Sequence, residues 1–275
     1  MIIWIASYPK SGNTWVRSFL SSYFLEDNEE FTLSSLTKIN QFPLLKHYTD
    51  INENPKNLLE SAMNWITVQN KINLSNDVQF LKTHHAMCTI QNYPFTNKDN
   101  TMGAIYLVRD PRDIVISYSN HDNTNYKTTV EAMIKGKIQS SFVDDKEERS
   151  LAVIGSWSQN YNSWKNFELA PRLIIKYEDL VLNAAESFNK IIIFLNSLYG
   201  LNINEDKIKK SIETTKFEKL QNLEKSFGFK ENENEKELFF REGKVGQWKK
   251  LLAEDMVNKI EKAFSVEMKE LGYIS

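Results

Sequence analysis

Tyr8-Pro9-Lys10-Ser11-Gly12-Asn13-Thr14-Trp15 follows directly on an apolar run, Ile2 to Ser7. Beyond it Trp15, Val16, Phe19, Leu20, Tyr23 and Phe24 recur at three- and four-residue spacings. The run reads as a buried strand and the recurrence as the apolar face of an amphipathic helix. A strand–loop–helix turn of this kind aims backbone N–H groups and the positive end of a helix dipole into the loop, a good environment for phosphate. Lys10 adds a full positive charge, and Ser11, Asn13 and Thr14 add short polar side chains. The bland alternative is an ordinary turn with Ser11 or Asn13 as N-cap. Lys10 and the preceding strand favour the phosphate cradle. The GxxxxGK[ST] pattern of nucleoside triphosphatases is not met, because the lysine precedes the glycine by two residues and Asn13 follows it. The usual position for a magnesium-binding hydroxyl is therefore missing.

Outward from this turn, Val78 to Thr83, Gly103 to Val108 and Leu173 to Tyr177 are further strand candidates, several followed by helical patterns. They predict an α/β fold with a mainly parallel central sheet flanked by helices, and one domain over residues 1–275. Pro111 suits a first helical turn, with Ile114, Val115 and Tyr118 following at helical spacing. Residues 185–199 and 253–271 also read as helices. Three polar stretches, 26–76, about 119–149 and 221–244, read as loops or as helices gathered around a site. Within the last, Glu231-Asn232-Glu233-Asn234-Glu235-Lys236-Glu237 is too charged for core; it reads as a solvated surface segment or as a lid before a basic, glycine-containing motif.

The 275 residues carry 34 Lys+Arg against 36 Asp+Glu, a net charge of −2, which leaves no general attraction to nucleic acid or to an anionic membrane. Any anion site must be local. The single Cys88 excludes an intramolecular disulfide and a multi-cysteine metal site, and suits a cytoplasmic protein. No segment approaches the roughly 20 apolar residues of a membrane span. The run Ile2 to Ala6 is short for a signal peptide and lacks a basic region before it, so the chain as given predicts neither secretion nor anchoring.

Two more segments carry chemistry. In Val108-Arg109-Asp110-Pro111-Arg112-Asp113-Ile114-Val115-Ile116-Ser117-Tyr118, an arginine at a strand end offers a forked donor for phosphate, and Ser117 adds a hydroxyl from the following helix. Alone, the segment reads better as a strand-end salt bridge with a buried helix serine. In Phe80-Leu81-Lys82-Thr83-His84-His85, a histidine lies at the C-terminal end of a parallel strand, where α/β sheets bind ligands. Its ordinary pKa near 6.5 suits proton abstraction at neutral pH. His85 and His121 are its competitors.

YPKSGNTW resembles the 5′-phosphosulfate-binding loop, YPKSGTTW, of sulfotransferases that use 3′-phosphoadenosine 5′-phosphosulfate (PAPS); Asn13 is the departure. The resemblance implies that Lys10, Ser11, Gly12, Asn13, Thr14 and Trp15 hold the donor, that Arg109 and Ser117 bind its 3′-phosphate, and that His84 in the KTH motif is the base with Lys82 assisting. Gly155-Ser156-Trp157, Trp164 and Lys176-Tyr177-Glu178-Asp179-Leu180 follow the family's GSW…W…YED order, which implies that Tyr177 touches adenine. Thr215-Lys216-Phe217-Glu218-Lys219-Leu220 resembles TSFxxM and implies Thr215 and Phe217 beside the purine. On the residues alone, these positions read as well as core packing. Arg241-Glu242-Gly243-Lys244-Val245-Gly246-Gln247-Trp248-Lys249 resembles RKGxxGDWK, a second 3′-phosphate clamp in which Arg241 and Gly243 match, while Glu242 replaces a lysine and Gln247 an aspartate. The family's KxxxTVxxxE dimer motif is not visible after Trp248, so its dimer mode is not implied and the oligomeric state stays open. The start directly at the first strand is similar to the bacterial members.

The implied reaction is metal-free sulfuryl transfer from PAPS to an acceptor hydroxyl, or an amine as the second choice, leaving adenosine 3′,5′-bisphosphate (PAP). Lys10 and the helix N-terminus would stabilise the leaving oxygen, and Lys82 the sulfuryl oxygens. The acceptor could be a small molecule, a sugar or a peptide, bound by residues 34–76, 119–149 and 221–240. The alternatives are an ATP- and magnesium-dependent small-molecule kinase and a non-catalytic nucleotide-binding module, with a purely structural protein third. Asp110 could mimic a magnesium-holding carboxylate, but lacks the matching lysine placement.

Overall fold

Ile2, Ile3, Trp4, Ile5 and Ala6 are all fully shielded from solvent, as a strand with both faces covered requires. The computed structural model describes residues 1–25, 29–75, 77–140, 151–232 and 237–275. Its strands are β1 (Ile2–Ser7), β2 (Gln79–Thr83), β3 (Thr89–Ile90), β4 (Tyr93–Pro94), β5 (Thr101–Val108), β6 (Lys137–Ser140), β7 (Leu151–Gly155) and β8 (Arg172–Lys176). The fold is α/β, with a central parallel sheet of order β2-β1-β5-β8. β3–β4 and β6–β7 form separate antiparallel pairs, which the sequence pattern did not predict.

The chain gathers into two compact units. The first comprises Met1–Tyr8, Ile39–Tyr106 and Lys135–Ile174. In it β1 pairs with β2 in parallel, Ile2 opposite Gln79 through Ala6 opposite Thr83. Trp4 anchors the interior, its ring 5.2 Å from Phe95 and 5.5 Å from Phe42, and its indole N–H donates to Thr101 Oγ1 at 3.0 Å. A long helix, Leu58–Asn73, lies within the stretch read as polar, capped by Asn57, whose side chain accepts from Glu60 N. Phe42, Tyr48 and Trp65 of that stretch are buried core residues, so they are not free to stack on an acceptor. Ser156 caps the helix Trp157–Lys165 in a reciprocal box with Gln159, so the GSW motif marks a strand end and a helix start.

The second unit comprises Pro9–Lys38, Leu107–Ile134 and Ile175–Ser275. Its first helix, Asn13–Tyr23, buries Val16, Phe19 and Leu20, with Phe19 stacked 4.1 Å from Phe188. Leu25, Phe31, Leu33, Leu36, Leu220 and Phe240 form a second cluster, bordered by Trp15, Phe217 and Phe239. Pro111 is the first residue of the helix Pro111–His121, and the Asp110 side chain caps it by accepting from Arg112 N. The predicted helix 185–199 is Ala184–Tyr199. The predicted helix 253–271 instead breaks in two, Glu254–Ala263 and Ser265–Glu270, because buried Phe264 leaves helical geometry at φ −119°. Residues 26–28, 76, 141–149 and 233–236 of the three polar stretches lie outside the described residues, and with them most of the suggested lid. Among the described residues no helix is long and apolar enough to cross a membrane.

Candidate active site

The loop after β1 belongs, from Pro9 onward, to the second unit. Lys10 and Gly12 both take positive φ, 65° and 95°. For Lys10 this is an unfavourable backbone region, and such residues concentrate where a loop must hold an exact shape for function. A side chain is excluded at Gly12, because a Cβ would stand 2.7 Å from Tyr177 Cδ2. The Gly12 carbonyl accepts from Trp15 N and Val16 N at 3.1 and 3.2 Å, starting a helix that has no side-chain cap and no acidic residue in its first turn. Ser11 is fully buried, and its hydroxyl has no hydrogen-bond partner among the described residues. Asn13 and Thr14 are buried behind it, and Trp15 donates its indole N–H to the Thr215 carbonyl at 2.8 Å.

Arg109, at the end of β5, ties this loop to a second segment. Its Nη1 donates to the Lys10 carbonyl at 3.1 Å and its Nη2 to the Lys244 carbonyl at 3.3 Å. The guanidinium lies 4.1 Å over the Tyr177 ring, and its buried Nε has no partner among the described residues. Burial also pushes the Tyr177 hydroxyl above its ordinary pKa. Ser117 sits half-buried in Pro111–His121, one helical turn beyond Asp113 on the same face.

The segment from Phe239 to Trp248 is irregular strap-like chain, anchored at both ends by buried carboxylates. Glu224 accepts from Phe239 N at 2.7 Å and Phe240 N at 2.9 Å. Asp113 accepts from Gly246 N at 2.6 Å and Trp248 N at 3.0 Å, while Arg112 lies 3.8 Å over the Trp248 ring. Gly243, at φ +63°, rests on Phe217, where a Cβ would come within 2.6 Å of the ring. The strap presents Arg241, Glu242 and Lys244 between these anchors, and Lys10 Nζ lies 3.9 Å over the Phe239 ring. Glu231, the first residue of the acidic run, pairs through both oxygens with the buried Arg17 at 2.9 Å, so it is a partly exposed structural counter-ion. Asp113 and Glu224 were not singled out from the sequence. Their partners are backbone N–H groups distant in the chain, which leave no side-chain signature.

Thr215 is fully buried, with its hydroxyl donating to the Ser211 carbonyl at 2.7 Å, and it serves as the backbone acceptor for Trp15. In these contacts it supports the loop through Trp15.

Lys82 and His84 lie in the first unit. Lys82 is half-buried on β2, opposite Ile5. One step beyond the last paired residues, His84 meets Ser7: its Nδ1 is 2.9 Å from the Ser7 carbonyl and 3.2 Å from Ser7 Oγ. A carbonyl oxygen can only accept, so Nδ1 carries the proton and Nε2 of the neutral ring keeps its lone pair. The His84 carbonyl is held by Asn160 Nδ2 at 3.0 Å. His85 is different. It is fully buried, its Nδ1 donates to the Ala86 carbonyl at 2.6 Å, and its ring stacks 4.4 Å from Phe95 and edge-on to Trp65. Burial lowers its pKa to about 4. It is a core residue. His121 ends the Pro111–His121 helix in the second unit, edge-on to Phe239.

The chain belongs to the sulfotransferase domain family, whose sequence pattern matches residues 2–272 and so covers both units. It is 25% identical to flavonol 3-sulfotransferase of Flaveria bidentis over 289 residues, covering 99% of this chain and 83% of that one. It is 23% identical to amine sulfotransferase of Oryctolagus cuniculus, covering 98% and 81%. Among solved structures it resembles mouse sulfotransferase SULT7A1 complexed with PAP, with TM-score 0.61 and 21% identity over 98% of this chain and 84% of that one.

Proposed function

We propose that the protein transfers the sulfuryl group of PAPS to the hydroxyl of a small-molecule acceptor, with His84 as general base. The observation that carries the donor assignment is the pair of buried donors, Ser11 Oγ and Arg109 Nε, left without partners among the described residues beside an uncapped helix N-terminus. Phosphate and sulfonate oxygens are acceptors and match them. The PAP bound by the mouse relative and the flavonols and amines in the names of the curated relatives support donor and acceptor class. A cytoplasmic location belongs to the same proposal.

In this reading Lys10, Ser11, Gly12, Asn13, Thr14 and Trp15 cradle the 5′-phosphosulfate, Arg109, Ser117 and Arg241 take the 3′-phosphate, and Tyr177 and Phe217 flank the purine. The acceptor oxygen attacks sulfur as its proton passes to His84 Nε2. The bond from sulfur to the 5′-phosphate oxygen breaks in line, and PAP leaves with the electron pair. Lys10 and the helix N-terminus stabilise the charge on the departing oxygen, and Lys82 that on the sulfuryl oxygens. Positioned base catalysis contributes about 10²–10⁴-fold.

The test is titration calorimetry with PAP and with ATP, each with and without magnesium, followed by turnover of PAPS against a panel of phenols, alcohols and amines. Magnesium-independent PAP binding that Lys10→Ala and Arg109→Ala abolish is the expected result. Binding of ATP–magnesium without PAP would overturn the donor assignment.

A further inference from the structure

Resting on the donor-site reading above, we infer that Glu242 is a built-in competitor of the nucleotide's 3′-phosphate, placing a carboxylate beside Arg241, which the phosphate needs, and beside the neighbouring Lys244, and thereby setting donor and product affinity. Its Oε2 lies 3.0 Å from Lys244 Nζ and its Oε1 4.0 Å from Arg241 Nη1. One carboxylate thus answers both cations of the strap between Phe240 and Gly246. The two cations hold its carboxyl below the ordinary glutamate range, so it is charged throughout the neutral region.

The backbone gives this arrangement its force. Phe239 N and Phe240 N are fixed on Glu224, and Gly246 N and Trp248 N on Asp113. Arg109 Nη2 holds the Lys244 carbonyl, and Gly243 is wedged against Phe217. Glu242 therefore stands on a length of chain pinned before it, after it and at the next residue. A phosphate arriving at Arg241 can break the exposed ion pairs at little cost, since such pairs contribute weakly. It cannot send the carboxylate far. The displaced charge stays tethered within a side-chain length of a phosphate dianion, and that repulsion persists for as long as the nucleotide is bound.

The competition is specific to the 3′-phosphate, because the 5′ end is assigned to the Lys10 loop. It also has an unusual sign: removing a charged residue from the binding surface strengthens binding. Product carries the same 3′-phosphate as donor, so Glu242 weakens the hold on both and favours release of PAP.

The experiment titrates PAP and 5′-AMP into the wild-type chain, Glu242→Gln and Glu242→Lys, at low and at high salt. Glu242 is 37% exposed, so neither substitution disturbs a core. We expect PAP to bind about tenfold more tightly to Glu242→Gln and more tightly still to Glu242→Lys, with 5′-AMP unchanged within about twofold and the gain shrinking at high salt. Unchanged or weaker PAP binding by Glu242→Gln overturns the inference, as does an equal gain for 5′-AMP. Failure of the wild-type chain to bind PAP at all overturns the donor-site reading itself.

Discussion

In the second unit, the loop from Lys10 to Trp15 and the strap from Phe239 to Trp248 are held in place mainly through the main chain. Arg109 bonds two carbonyls, Glu224 and Asp113 together bond four backbone N–H groups, and two glycines rest against aromatic rings. In the first unit, the end of β2 depends on the setting of one side chain, His84, whose ring is oriented by the Ser7 carbonyl. The first arrangement spreads its precision over many contacts that do not consult side-chain identity. The second concentrates it in one proton on one nitrogen. Distributed holding suits binding, where each contact contributes a little. Concentrated holding suits proton transfer, where one wrong tautomer removes the base.

The largest expected effect breaks the concentrated side. His84→Ala should lower kcat by about 10²–10⁴-fold, equivalent to ~3–5 kcal/mol, while PAP binding in calorimetry stays near the wild-type value. A parallel loss of binding would show that His84 supports the fold of the site and not the proton transfer. The neighbouring histidine supplies the next test. His85 is neutral and buried, with its pKa lowered to about 4 from an unfolded value near 6.5. Between those limits the unfolded chain takes up a proton that the native chain refuses. Stability is therefore complete above pH 6.5 and falls as pH drops toward 4, by about 1.4 kcal/mol per unit and ~3 kcal/mol in all. His47, also lowered to about 4 by burial, acts in the same window. Urea midpoints measured from pH 7 to pH 4 should show this slope, and His85→Gln should flatten part of it.

On the distributed side, Gly12→Ala forces a Cβ into a positive-φ position 2.7 Å from Tyr177, and should weaken PAP binding by ~2 kcal/mol, read as a raised Kd. Smallest is Asp113→Asn, which leaves only one acceptor oxygen for Gly246 N and Trp248 N. It should raise KM for PAPS about tenfold with kcat nearly constant. A fall in kcat equal to the fall in kcat/KM would mean that Asp113 acts in the transition state and not as a positioning residue.

The sequence made the four main strands legible to within two residues, because each is built around a short apolar stretch, from Phe80-Leu81 in β2 to the whole of Ile2–Ala6 in β1. The strand-to-helix turn was legible for a related reason: a lysine, a glycine and three short polar residues stand between an apolar run and a helical pattern. The helix Leu58–Asn73 was not. Its buried face mixes Ala62, Trp65 and Val68 with Ser61 and Gln69, whose polar groups are satisfied inside, by the Tyr48 hydroxyl and by the Phe95 carbonyl respectively. Such a face hides its period in a hydrophobicity pattern. His84 was preferred to His85 through the KTH resemblance; the residues alone do not separate the two, because only the strand register sets the first beside Ser7 and only the aromatic packing around Phe95 encloses the second.

The strap's anchorage through backbone N–H groups bears on how this protein can change over evolutionary time. Glu224 and Asp113 accept from the backbone N–H groups of Phe239, Phe240, Gly246 and Trp248, so these hydrogen bonds do not use the side chains there. The intervening residues other than Gly243, which has no room for a side chain against Phe217, can then be exchanged without loosening those anchors. Glu242 and Gln247, the two departures from the RKGxxGDWK pattern, fall in that tolerant stretch or beside its anchor. A scaffold of this kind lets the charge carried by the strap at positions such as 242 be retuned one codon at a time, with little risk to the fold.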